Sequence, residues 1–169
     1  MKRTSPHGTF ETRAGRCLIV TVSDTRTRAQ DASGDALAAA SERSGHQVVA
    51  RLLVRDDMAS IRRAARAGLA RTRVDAVLLT GGSGVAPRDR TPEAVRPLLD
   101  QELTGFGELF RMLSHRQVGS AAWLSRAGAG VAKGKLLVWL PGSTRAVELA
   151  ARRLIVPELA HVLRLLGRL

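Results

Sequence analysis

LLTGGSGVAPRDRTPEAV, residues 78–95, is the stretch whose reading decides the fold. Leu78 and Leu79 end an apolar run that starts at Val74, long enough for a strand covered on both faces. Gly81, Gly82 and Gly84 follow, where the backbone must turn sharply and leave its N–H groups open. Thr91 is a suitable N-cap, Pro92 fits the first helical position, and Glu93 adds negative charge to the first turn. Between loop and helix lies Arg88-Asp89-Arg90, two guanidiniums around one carboxylate. A buried strand, a glycine loop and an ionic cluster in succession suit an anionic, phosphorylated ligand. The loop lacks the Gly-Lys-Ser/Thr ending of a Walker A motif and the GxGxxG spacing of a dinucleotide-binding turn.

Around this stretch, apolar runs alternate with helical patterns, which predicts an α/β domain. Strands are expected over about residues 16–22, 47–54 and 74–79. Helices are expected over about 32–45, from Asp57 to Leu69, over 91–99 and over 105–114. The segment 118–124 reads equally as helix or loop. Gly134 marks a tight turn between two extended runs, 127–132 and 135–140. Pro141-Gly142-Ser143 ends the second run, and a final helical region over 144–169 is interrupted near Pro157. The expected architecture is a three-layer αβα single domain, with a mostly parallel central sheet plus a C-terminal hairpin strand.

The 169 residues suffice for one full core, and the 44% hydrophobic content agrees with a globular chain. Residues 1–14, polar with Pro and Gly, read as a flexible extension before a domain over 15–169. Lys and Arg number 27 against 15 Asp and Glu, a formal charge of +12 that raises nucleic-acid or anionic-ligand binding as options. Arg62, Arg66 and Arg73 form a stripe that reads first as a solvated face. Aromatic residues make up only 3% of the chain, with no Tyr, so platforms for stacking bases are scarce. Nucleic acid is therefore the remote reading. Cys17, the single cysteine, starts an apolar strand and reads as a buried structural thiol. The four histidines show no metal-ligand spacing. No membrane-spanning run or secretory leader is visible, and the expected location is the cytoplasm.

Ligands of an open parallel sheet bind outside the carboxyl ends of the strands. Four such ends carry suggestive residues: Ser23-Asp24, Asp56-Asp57, Thr80 to Gly84, and Pro141-Gly142-Ser143. Carboxylates converging there beside phosphate-binding loops suit a magnesium–nucleotide complex. Each aspartate also has a plain structural reading. Asp56 or Asp57 can cap the helix that follows, and Asp89 can pair with Arg88 or Arg90.

The string at 78–95 resembles the TGGTG…RD.TPEA signature of the MoaB/Mog family of molybdenum-cofactor biosynthesis proteins. The resemblance continues in order through VSDTRT at 22–27, VRDDMASI at 54–61, GFGELFRML at 105–113 and LSRAGAGVAKGKLLVWLPGS at 124–143. Ser83 stands where the family has Thr, and Thr144 where a Pro often follows the PGS turn. The resemblance implies a molybdopterin adenylyltransferase using ATP and Mg2+, assembled as a trimer or a hexamer and in contact with other molybdenum-cofactor enzymes. It places the two essential aspartates, which would also orient the metal, at Asp56 and Asp89. Thr80, Ser83 and the N–H groups of Gly81, Gly82 and Gly84 would cradle a phosphate beside Arg88. Ser23, Asp24, Pro141, Gly142 and Ser143 would hold pterin or nucleotide. The alternative within the family is a molybdopterin-binding member without transferase activity.

Overall fold

Strand β1, Arg16–Val22, shows why the sheet carries helices on both faces. Its side chains alternate, so Cys17 and Ile19 enter one apolar cluster while Leu18, Val20 and Val22 enter another. β3 (Ala76–Thr80) and β6 (Lys135–Leu140) divide in the same way: Leu78 and Val138 face one cluster, Leu79 and Trp139 the other. Strands buried on both faces need a helical layer on each side. One layer holds α1 (Ala32–Arg43), α4 (Thr104–Val118), α5 (Thr144–Ala150) and α6 (Val156–Leu165). The other holds α2 (Met58–Ala70) and α3 (Thr91–Val95). These features come from a computed structural model that describes residues 14–169; apart from Ala14, the expected extension over 1–14 lies outside the described residues.

With β2 (Gln47–Val54), β4 (Gln101–Glu102) and β5 (Gly128–Ala132), the six strands lie in the order β2-β1-β3-β6-β5-β4. The first four are parallel, and β5 and β4 join antiparallel. The expected α/β fold with its hairpin is therefore the observed one. The hairpin turns at Lys133-Gly134, both with positive φ. Two-residue β4 was not expected; a strand that short has no period to reveal it.

Several element ends differ from expectation for local reasons. The helix expected over 91–99 is α3 followed by a 3-10 turn at Arg96–Leu98, where Pro97 removes an N–H donor. α4 extends four residues past Ser114, to Val118, and the ambiguous 118–124 segment is largely a 3-10 helix at Gly119–Leu124. Near Pro157 the chain widens into a π turn at Ala151–Ile155 before α6 begins. A wider turn accommodates the missing N–H and the proline ring without breaking the helical region. Thr91 is also not the cap of α3. Arg90 occupies that position, while the buried Thr91 hydroxyl donates to Gly81 O at 2.8 Å.

At the amino ends of the strands, Asp75 is fully buried and accepts from Arg16 Nε at 2.8 Å and Arg168 Nε at 3.1 Å. Burial alone would raise its pKa, but the bonds from Arg16 and Arg168 prevail and hold it below the usual carboxylate range. Cys17 is fully buried, and burial raises its thiol pKa to about 12. It is the inert structural thiol expected from the sequence.

Candidate functional site at the carboxyl ends of the parallel strands

β2, β1, β3 and β6 are neighbours, so the loops after them meet at one end of the sheet. The loops are joined there. Ser23 N donates to Val54 O at 2.9 Å, Gly81 N to Leu140 O at 3.0 Å, and Thr80 Oγ1 to Pro141 O at 2.9 Å. Between them opens a cleft of about 370 Å³, lined by Ser23, Asp24, Asp56, Gly81 to Gly84, Arg88, Asp89, Pro141 and Gly142. Of the strand-end residues singled out in the sequence, Asp57, Thr80 and Ser143 are not in that lining. Thr80 is fully buried with its hydroxyl committed to Pro141 O, and Ser143 caps α5 by accepting from Ala146 N at 3.3 Å. A larger cleft of about 750 Å³ lies by Arg16 and Arg73, but that one lacks carboxylates at strand ends.

The glycine loop has the conformation that its sequence suggests. Gly81 has φ +105° and Gly82 φ +62°, a region that side chains strain to enter. A Cβ on Gly82 would lie 2.6 Å from Thr91 Oγ1 and 2.7 Å from Asp56 Oδ1. A Cβ on Gly84 would lie 2.8 Å from Asp89 Oδ2. Both carboxylates therefore lie close against the glycine loop, although 33 residues separate them in the chain.

The competing readings of the aspartates separate at atomic detail. Asp57 is the cap of α2: its Oδ1 accepts from Ser60 N at 2.8 Å, which lowers its pKa. Asp56 makes no such bond, and its Oδ1 is buried without a partner. Burial raises the Asp56 pKa, with Asp89 and Asp24 adding to the rise and Arg88 opposing it. Asp24 Oδ1 accepts from Asp56 N at 3.1 Å, joining the loops after β1 and β2. Among the described residues no ion pair links Asp89 to Arg88 or Arg90; its Oδ2 accepts from Ala86 N at 2.9 Å. The Ser83 hydroxyl is likewise buried without a partner. Unpaired buried polar atoms are costly, so Ser83 Oγ and Asp56 Oδ1 are open to a ligand that enters the cleft.

Two arginines of this site escaped the sequence reading. Arg26 lines the cleft and donates to Ser33 Oγ at 2.6 Å and Gly142 O at 2.8 Å, tying the β1 loop to the β6 loop. Arg126, just before β5, donates to Gly84 O at 2.8 Å and Asp89 O at 2.7 Å. The quoted motifs contain both residues, but a guanidinium that bonds to distant carbonyls has no signature in sequence. Arg62, placed in the basic stripe, is engaged with Ala94 O and Glu93 O at 3.3 Å each and thus joins α2 to α3.

Known proteins resemble this chain over most of its length. A family profile described as a "Probable molybdopterin binding domain" matches residues 18–161. The chain is 50% identical, over 150 residues and 88% of each chain, to molybdenum cofactor biosynthesis protein B of Halalkalibacterium halodurans. A crystal structure of a molybdenum cofactor biosynthesis protein B matches with a TM-score of 0.90 at 47% identity, over 94% of this chain and 99% of the other. The tungsten cofactor synthesizing protein MoaB from Pyrococcus furiosus matches with a TM-score of 0.78 at 31% identity, over 93% and 99%. The strand-end cleft thus sits in a domain matched along almost its whole length, and the chain belongs to the MoaB/Mog family of molybdenum-cofactor biosynthesis proteins.

Proposed function

We propose that the protein acts in molybdenum-cofactor biosynthesis as a molybdopterin adenylyltransferase, with the strand-end cleft as its active site. The observation that carries this reading is the pair Asp56 and Asp89, held against one glycine loop, with Asp56 Oδ1 and Ser83 Oγ left unpartnered. An oxygen of the pterin phosphate attacks the α-phosphorus of ATP; the bond from that phosphorus to the bridging oxygen breaks, and pyrophosphate leaves. The N–H groups of Gly82, Ser83 and Gly84 and the Ser83 hydroxyl donate to phosphate oxygens, while the Gly81 N–H stays with Leu140 O. Arg88 and Arg26 place positive charge where the phosphates must sit. Ser23, Asp24, Pro141 and Gly142 form the remaining wall, for pterin or nucleotide. The cleft contributes orientation and charge, as phosphoryl chemistry requires.

Asp56 and Asp89 fit Mg2+. Among the described residues no group of three or more His, Cys, Asp or Glu side chains could hold a metal alone. Magnesium characteristically takes one or two carboxylates and completes its shell with water and substrate phosphates. Bound there, it would supply charge neutralisation between ATP and the acidic wall, and would relieve the repulsion felt by Asp56.

Leu109, Met112, Val118 and Trp123 are exposed along α4 and the segment after it, which supports a homo-oligomer; the trimer or hexamer is what the family resemblance implies. Among the described residues no helix is long and apolar enough to cross a membrane.

The test is adenylyl transfer from ATP to purified molybdopterin with magnesium, comparing the parent with Asp89→Asn. Turnover in the parent, and loss of turnover with retained pterin binding in the variant, is the expected result. Bound pterin with no turnover in the parent refutes the transferase and leaves a pterin-binding member of the family.

A further inference from the structure

The segment from Ser83 to Asp89 carries the acid on which the proposed transfer depends, yet little holds it. Two of its bonds are internal: Asp89 N to Ala86 O at 2.9 Å, and Ala86 N to Asp89 Oδ2 at 2.9 Å. Among the described residues, its hydrogen bonds to the rest of the fold all go to Arg126. The Arg126 main-chain N–H donates to Ser83 O at 3.0 Å. Its Nε donates to Gly84 O at 2.8 Å and its Nη2 to Asp89 O at 2.7 Å, while Nη1 pairs with Glu93. Arg126 is in turn anchored to the core. Its carbonyl accepts from Trp139 Nε1 at 2.7 Å, and Trp139 is fully buried in β6.

We infer that Arg126 is a positioning residue: its planar guanidinium grips the loop at Gly84 and at Asp89 together and so sets the Asp89 carboxylate against the glycine loop. This rests on the transferase reading for its effect on turnover, but the grip itself does not. Arg126 does not line the cleft, so it acts through Asp89 and touches neither substrate. Three donors in one rigid plane can meet two carbonyls and a carboxylate at fixed spacing; a lysine offers one ammonium point that cannot reach both ends of the loop. Glu93 fixes the plane. Burial would raise the Glu93 pKa, but its bond from Arg126 prevails and keeps it ionised. Thr91 holds the flank, through Thr91 N to Gly82 O at 2.9 Å and its hydroxyl to Gly81 O, so losing Arg126 frees the span that contains Asp89 and leaves the turn at Gly81 and Gly82 in place.

The experiment compares the parent with Arg126→Lys, Arg126→Ala and Glu93→Gln in the full-length protein. Amide hydrogen exchange should quicken across the peptide that spans residues 83–90 and stay unchanged in β1, β3 and β6. Turnover should fall on the order of 10²-fold in both Arg126 variants, as expected for a misplaced reacting geometry. The Kd for molybdopterin should hold, and the KM for Mg2+ should rise. Methylguanidinium added to Arg126→Ala should restore part of the rate, which a merely destabilised fold would not allow. Glu93→Gln should move each readout in the same direction by less, and it reports on the grip if an Arg126 variant fails to fold. Exchange at 83–90 matching the parent, or rising across all strands alike, overturns the inference. So does turnover within a few-fold of the parent in a folded Arg126 variant. A parent without turnover whose Arg126 variants still loosen 83–90 alone refutes the transferase reading and upholds the grip.

Discussion

Gly82→Ala tests the claim that the glycine loop is shaped to bring Asp56 and Thr91 against its backbone. Gly82 has φ +62°, and an L-residue held in the left-handed region costs roughly 1–2 kcal/mol. The added Cβ would also lie 2.6 Å from Thr91 Oγ1 and 2.7 Å from Asp56 Oδ1, closer than carbon and oxygen can sit. Thr91 cannot yield freely, because it is buried and its hydroxyl bonds to Gly81 O; losing that bond adds about 1 kcal/mol. The sum is about 2–3 kcal/mol of lost stability. Gly134→Ala isolates the backbone part. Gly134 has φ +66° in the β5–β6 turn, and nothing lies within 4 Å of a Cβ there, so it should cost only the backbone part, roughly 1–2 kcal/mol. Urea unfolding of the parent and both variants measures the difference, provided the slopes agree. Adenylyl transfer should collapse in Gly82→Ala and persist in Gly134→Ala. Equal destabilisation by the two substitutions would show that the side chains around Gly82 move aside without cost, and the close-packed loop would then be no determinant of the site.

Two further predictions concern charge. Asp56 has a raised pKa in the folded protein, from burial first and then from Asp89 and Asp24. A carboxyl of this kind binds protons more tightly folded than unfolded, so stability falls as pH rises through that interval and stays reduced at neutral pH. Asp56→Asn should therefore raise the Tm at neutral pH while abolishing transfer, and the gain should vanish below the unfolded-state pKa of about 3.9; a Tm at or below the parent's at neutral pH would contradict this. Asp75 behaves in the opposite sense. Its depressed pKa contributes stability that is present above the unfolded-state value and is lost as pH falls through the folded one. Asp75→Ala leaves Arg16 and Arg168 without their shared carboxylate and should cost about 3 kcal/mol in urea unfolding; a loss near zero would mean that the surrounding water already solvates both guanidiniums.

What the sequence determined by itself is the fold and which loops line the candidate cleft. Burial on both faces of β1 and β6 follows from their apolar runs, and such runs between helical patterns leave few arrangements other than a covered parallel sheet. Glycines and acids at four strand ends then had to meet, because parallel neighbours end on the same side. The tertiary structure alone decided which groups are free there. Asp56 and Asp57 are adjacent and chemically identical, and only the backbone at the start of α2 makes one the cap and leaves an oxygen of the other unpartnered. Thr91 reads as a cap by residue type, yet its hydroxyl goes to Gly81 O because closing the glycine loop brings that carbonyl within reach. Arg126 is 37 residues from Asp89 in the chain, and its bonds are to backbone carbonyls, which every residue possesses. Residue type and spacing identify a donor, but only the packed chain selects its acceptor.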